Sequence, residues 1–212
     1  MISRQKLMRG FTLLEVLVSL IILLIGLLGI AGLLIKGQRA SYEAYQRQQA
    51  LTLAQEMAEK LRSNQGGAPF YVTGVTEGTA MPGRGQLYGA ITAANDCNGE
   101  TCTSQQLATF HLATWDGVLI GASETQASGG ARVGGVISAR GCIEWQPNND
   151  VAQPIFLVSV TWQGEADTVA PPATASACGA NLYGAGDTRR RIVTLRVSTC
   201  RLNAAAPWGC AS

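Results

Sequence analysis

The sequence predicts an α+β fold, in which a long N-terminal α-helix packs its second half on an antiparallel β-sheet head tied by disulfides. Three observations predict it. Phe11 to Ile35 is a run of 25 residues whose only charge is Glu15, and no proline occurs from Phe11 to Arg62. Three runs rich in Val, Ile, Leu, Phe and Trp, at 132–146, 154–164 and 189–202, read as strands. Six cysteines, Cys97, Cys102, Cys142, Cys178, Cys200 and Cys210, all follow the apolar run, an even set that suits an oxidising compartment.

A spanning helix needs about 20 apolar residues, so 11–35 is long enough to cross a bilayer with some tilt. A secretory signal has an apolar region of about 7–15 residues with a small-residue cleavage site after it. This run is longer, and the helix-like KGQRASYEAYQRQQ follows it. Arg4, Lys6 and Arg9 precede it, which by the positive-inside rule places the N-terminus in the cytoplasm and the rest outside. The helix is expected to continue through 36–65, where Ala40, Ala44, Leu51, Ala54, Ala58 and Leu61, widened by Met57, fall at helical spacing. Some 50 residues at 1.5 Å each make about 75 Å, apolar all round in the first half and amphipathic in the second. Gly26, Gly29 and Gly32 recur on one slowly drifting face, where small residues let helices approach closely. RSNQGGAP ends the helix.

Glu15 demands a reason. An acidic residue at the centre of a membrane helix costs about 2.5–3.5 kcal/mol, less near an end, and usually has a partner. In the uncut chain the candidates are Arg9 and lipid headgroups. A cut after Gly10 would place a new amine on Phe11 about one helical turn from Glu15, in its own chain or a neighbour's. In low dielectric the two would attract strongly.

Residues 66–131 are rich in Gly, Ala and Thr and read as a connecting region, with FYVTGVT as a short strand and a helix near 103–121. Thr103 and Gln106 form a capping-box pattern for that helix, and Leu107, Phe110, Val118 and Leu119 supply its apolar side. A Cys97–Cys102 bridge closing CNGETC would anchor its start. Residues 132–212 then form the antiparallel sheet, one face on the helix, and the C-terminal disulfide region. The stretch 164–187 is too long and polar for a hairpin turn and reads as an exposed excursion that Cys178 ties down. Six cysteines permit fifteen pairings; Cys142 with Cys178 and Cys200 with Cys210 are the expected ones.

Several function classes fall away. Of sixteen Lys and Arg, three precede the apolar run, leaving thirteen bases against fourteen acids, without the clustered basic face of a nucleic-acid binder. Arg189-Arg190-Arg191, the one basic cluster there, reads as a solvated strand entrance. His111 is the single histidine and reads as structural, so no His-based catalytic or metal cluster is expected. A lone Cys-x4-Cys without a second pair makes a poor zinc site. With no carboxylate pair or Ser-His-Asp set to place, neither an enzyme nor a cofactor is expected.

The stretch RGFTLLEVLVSLIILLIGLLGI resembles the type III signal of type IV prepilins: a short basic leader ending in Gly, then Phe-Thr-x-x-Glu opening an apolar helix. CNGETCTSQQLATFHLATW, IFLVSVTWQG and RRRIVTLRVSTC resemble the PilV group of minor pilins, which share a Cys-x4-Cys before a Trp-bearing helix, a strand ending in Val-x-Trp and an arginine-led last strand. The resemblance covers most of the chain, leaving 66–94 and 164–187 unmatched. It implies the type IV pilin fold, a leader at 1–10, cleavage after Gly10 by prepilin peptidase, N-methylation of Phe11 and an assembly role for Glu15. It further implies inner-membrane storage with a periplasmic head, then export to a surface pilus. The partners implied are other minor pilins, the major pilin and the inner-membrane assembly platform, with roles in priming near the tip, twitching and adhesion. An I-type minor pseudopilin of type II secretion shares the signal and is the alternative.

Overall fold

The computed structural model describes residues 12–76, 79–92, 95–99, 101–130, 132, 134–146 and 154–199. The chain divides into two compact units, 1–42 and 43–212, and one helix, α1 (Leu13–Ser63), contributes to both. In the first unit every residue from Thr12 to Tyr42 is exposed, and α1 is there long and apolar enough to cross a membrane.

In the second unit α1 buries Gln46, Ala50, Leu53, Ala54, Met57, Ala58 and Leu61. Apart from the adjacent pairs Leu53/Ala54 and Met57/Ala58, these recur at three and four residues, as a core-facing helical stripe does. The expected stripe holds from Ala54 onward but strays before it. Ala44 and Leu51 are exposed, and Gln46, Ala50 and Leu53 take the inward places. Leu51 follows Ala50 directly, and adjacent residues on a helix point about 100° apart.

The helix ends at Ser63, and a 3₁₀ segment, Gln65–Tyr71, carries Pro69. FYVTGVT therefore begins in 3₁₀ geometry and does not form a strand. Thr73 pairs with Ile143: its N–H donates to the Ile143 carbonyl, and its hydroxyl accepts the Ile143 N–H, both at 2.9 Å, while the Val75 carbonyl accepts the Gly179 N–H at 3.1 Å. The Thr73 side chain replaces the carbonyl that would continue a ladder.

A second helix, α2, spans Ser104–Leu119, and its capping box forms as the sequence predicts. The Thr103 side chain accepts from the Gln106 N–H at 3.3 Å, and the Gln106 side chain accepts the Thr103 N–H at 2.9 Å. Its buried face differs from the expected one. Val118 is exposed, while Ala108, Trp115 and Leu119 enter the core beside half-buried Leu112. Trp115 is fully buried and donates its indole N–H to the Leu53 carbonyl of α1 at 3.0 Å.

Three strands, β1 (Arg140–Gln146), β2 (Ile155–Gln163) and β3 (Arg190–Ser198), pair antiparallel in that spatial order. Ile143 lies opposite Val158, and Val160 opposite Val193. β1 is shorter than the expected run, because 134–138 is taken up by bends and a turn. On one face Phe156, Val158, Val160, Trp162, Val193 and Val197 join the core with α1 and α2. Trp115 of α2 packs on Gly141 of β1: an added Cβ would meet its ring at 2.4 Å, so the indole needs a residue without a side chain there.

The other sheet face is covered as well, which corrects the expectation of an exposed excursion. Residues 165–169 are exposed, but Ser176, Cys178, Tyr183 and Asp187 are buried. Cys178 is bonded to Cys142 of β1, and Tyr183 shares a hydrogen bond of 3.1 Å with Thr161 of β2. Cys97 is bonded to Cys102 directly before the α2 cap. The expected Cys200–Cys210 pair lies outside the described residues.

The two bridges should differ in weight. Cys142–Cys178 has a sequence separation of 36 and Cys97–Cys102 one of 5. The loop-entropy relation then gives about 4 kcal/mol for the first and about 2 kcal/mol for the second. Thermal unfolding of the two double Cys→Ser variants should show the larger drop for Cys142/Cys178, and equal drops would contradict this account.

Candidate processing and assembly site

Thr12 stands directly before α1. Its hydroxyl oxygen accepts the Glu15 N–H at 3.3 Å, and its carbonyl accepts the N–H groups of Glu15 and Val16 at 3.1 and 3.3 Å. A Thr whose oxygen serves the amide three residues on is an N-cap. Thr12-x-x-Glu15 thus sets where the helix begins and puts a carboxylate in its first turn, the end where the helix dipole favours negative charge. The sequence reading singled out Glu15 but missed Thr12, although the capping-box spacing was in plain view. Ser19 donates its hydroxyl to the Glu15 carbonyl at 2.7 Å. Gly10 and Phe11 lie outside the described residues. A Thr12→Val variant should lose about 1 kcal/mol of local helix stability, read as faster amide exchange over the first turn of α1 in detergent.

Two polar networks order the head around α2. Asp116 of α2, 1% exposed, accepts four backbone N–H groups. Its Oδ1 takes those of Gly83, Arg84 (2.9 Å) and Gly85 (2.9 Å), and its Oδ2 that of Tyr88 (3.0 Å). His111 meets the Tyr71 hydroxyl at 2.6 Å through Nδ1, and that hydroxyl also accepts from the Asn64 amide at 3.3 Å. Burial pushes Tyr71 up to about 12, so it stays a neutral phenol. His111 thereby ties α2 to the 3₁₀ segment that holds Tyr71.

Burial, helped by the nearby Lys60 ammonium and opposed by Glu56, lowers the His111 pKa from its ordinary 6.5. The unfolded chain therefore binds a proton before the folded one does. Stability should fall as pH drops below 6.5 toward the depressed folded value, and be fully present above it. Melting temperature followed against pH should show this slope for the wild type and a flatter one for His111→Gln.

The three arginines are not a solvated strand entrance. Arg189 pairs with Asp167 at 3.0 Å, and its hydrogen bond holds that exposed carboxyl below the usual carboxylate range. Arg190 is buried, donates to the carbonyls of Ser176 (2.9 Å) and Cys178 (3.1 Å), and pairs with Asp187 at 3.1 Å. Arg191 bonds Glu43 of α1 at 3.2 Å and the Ala166 carbonyl at 2.7 Å. Each fixes part of 164–187 to the sheet or helix.

A surface groove of about 490 Å³ lies between Tyr45, Gln48 and Leu53 of α1 and the segments holding Val118, Glu124 and Val136. Glu124 is the sole carboxylate among its lining residues. Among the described residues no group of three or more His, Cys, Asp or Glu is placed to hold a metal.

A model of the prokaryotic N-terminal methylation motif matches residues 6–31, which include Gly10, Phe11, Thr12 and Glu15. A second family model, Type IV pilin Tt1218, matches residues 32–113. Comparison with curated proteins and with solved structures returned no match. The two matched spans adjoin, cover half the chain together, and agree with a long N-terminal helix packed on a three-stranded antiparallel sheet with two disulfides: the chain belongs to the type IV pilin-like family. Its role is that of a pilin or pseudopilin, a structural subunit that assembles with other pilins after prepilin processing.

Proposed function

We propose that this chain is a minor pilin of the type IV pilus. The observation that carries the reading is a carboxylate, Glu15, in the first turn of an apolar helix whose start is fixed by Thr12, within a matched methylation motif. Prepilin peptidase removes 1–10 and methylates Phe11. The single span rests in the inner membrane, N-terminus cytoplasmic and head periplasmic. Extraction through the assembly platform brings the chain beside other minor pilins and the major pilin, where it primes assembly near the tip and supports twitching and adhesion. In the bundle Glu15 meets the Phe11 amine of its own chain or a neighbour's, and apolar helices replace lipid.

Intact mass with and without the peptidase tests this. The expected result is loss of residues 1–10 and one added methyl at Phe11 only when the peptidase is present; a chain still starting at Met1 overturns the reading. The I-type minor pseudopilin shares the processing motif. A deletion strain that loses exoprotein release but keeps normal piliation would favour it; lost twitching with normal secretion supports the pilus.

A further inference from the structure

We propose that the Asn98–Gly99 bond is a site of spontaneous covalent modification, at which the Asn98 amide is lost through a cyclic imide to give aspartyl and isoaspartyl products. The Gly99 backbone nitrogen, its proton taken by base, attacks the Asn98 side-chain carbonyl carbon. A new C–N bond closes a five-membered ring, the bond to the side-chain nitrogen breaks, and ammonia carries that nitrogen away. Water then adds to one of the two imide carbonyls and opens the ring. No electron changes hands, and water is the only co-reactant.

Both sequence and structure select this site. Asn98 is the only asparagine in the chain followed by glycine, whose missing Cβ leaves the attacking nitrogen unshielded. Both residues are exposed in the CNGETC loop, and an added Cβ on Gly99 would meet nothing within 4 Å. Asp96 accepts the Asn98 N–H at 2.9 Å. Among the described residues, neither the Asn98 side-chain amide nor the Gly99 N–H has a hydrogen-bond partner, so both reacting groups are free to meet.

Two other asparagines are held by their side chains. Asn64 is buried and donates to Ser104 and Tyr71, and Asn95 accepts from Thr92. Asp116–Gly117 would form the same imide on sequence grounds. Its carboxylate is gripped by four backbone amides and its peptide lies inside α2. The product at Asn98 adds a carboxylate to a loop already carrying Asp96 and Glu100, just before the α2 N-cap. Negative charge near a helix N-terminus is favourable, so the modified chain stays folded. Exposed loop tips are also where backbone change is best tolerated.

The test ages the purified full-length chain in detergent at mildly alkaline pH in heavy-oxygen water, then maps peptides after reduction of the Cys97–Cys102 bridge. The expected result is heavy oxygen entering at Asn98 at least an order of magnitude faster than at any other asparagine or at Asp116, with hydroxylamine cleaving between Asn98 and Gly99. Asn98→Gln, which must close a larger ring, should abolish both signals while leaving the melting temperature unchanged. A linear CNGETC-containing peptide run in parallel sets the unconstrained rate. An Asn98 that stays intact in the protein while the peptide converts, or faster labelling at another position, would overturn the proposal.

Discussion

Asp116→Ala is expected to destabilise the head by about 4 kcal/mol. Hydrogen bonds to a charged group contribute about 1.5–3 kcal/mol each, and buried donors left without an acceptor add a desolvation cost. Asp116 serves four donors at once, three of them consecutive amides from Gly83 to Gly85. Those amides all point inward only because a carboxylate gathers them. Without it, 83–88 has no internal ladder to fall back on, and the neighbouring Gly141 N–H to Pro82 carbonyl bond to β1 loosens with it. Asp116→Asn should be milder, because one oxygen remains to accept while the new amide hydrogens face the Tyr88 N–H. Thermal unfolding in mild detergent, with limited proteolysis at 83–88, reads both effects. An alanine variant within about 1 kcal/mol of wild type would refute the role given to the carboxylate.

Asp116 also shows what a sequence hides. Its partners are main-chain amides roughly thirty residues away, and an amide leaves no trace in residue type. Arg189, Arg190 and Arg191 misled for a similar reason: their acceptors are carbonyls and carboxylates that the fold delivers from 164–187 and from α1. Local signals were legible. The Thr103–Gln106 capping box fixed the start of α2 to the residue, because all its partners lie within one turn. Alternation placed β2 within one residue at each end and the start of β3 within one, though β3 ends at Ser198 rather than at 202, and β1 begins late because Gly134 and Gly135 sit in bends that an apolar count cannot see. The inward stripe of α1 was clear only where large apolar residues are sparse. Leu51 and Leu53 compete near its middle, and Trp115 above Leu53 decides between them. Thr12 was legible in principle, since Thr-x-x-Glu is a local pattern.

Glu15→Ala is expected to cut surface filaments by at least tenfold when retraction is blocked, with leader removal and methylation at Phe11 unchanged. The geometry makes the substitution clean. Thr12 caps α1 through the Glu15 backbone N–H, and Ser19 bonds the Glu15 carbonyl, so alanine keeps both contacts and removes only the carboxylate. Alanine is also the better helix former, so a loss of filaments cannot be ascribed to a frayed helix. A tenfold loss corresponds to about 1.4 kcal/mol. That is modest beside the cost of leaving a charge unpaired in an apolar bundle. Glu15→Gln should behave like alanine if charge matters and like wild type if hydrogen bonding alone suffices. Thr12→Val, which spares the carboxylate and weakens the cap, should reduce filaments less than Glu15→Ala does. If Glu15→Ala leaves filament number undiminished while intact mass confirms processing, Glu15 has no role in assembly and the proposed pairing with the Phe11 amine fails.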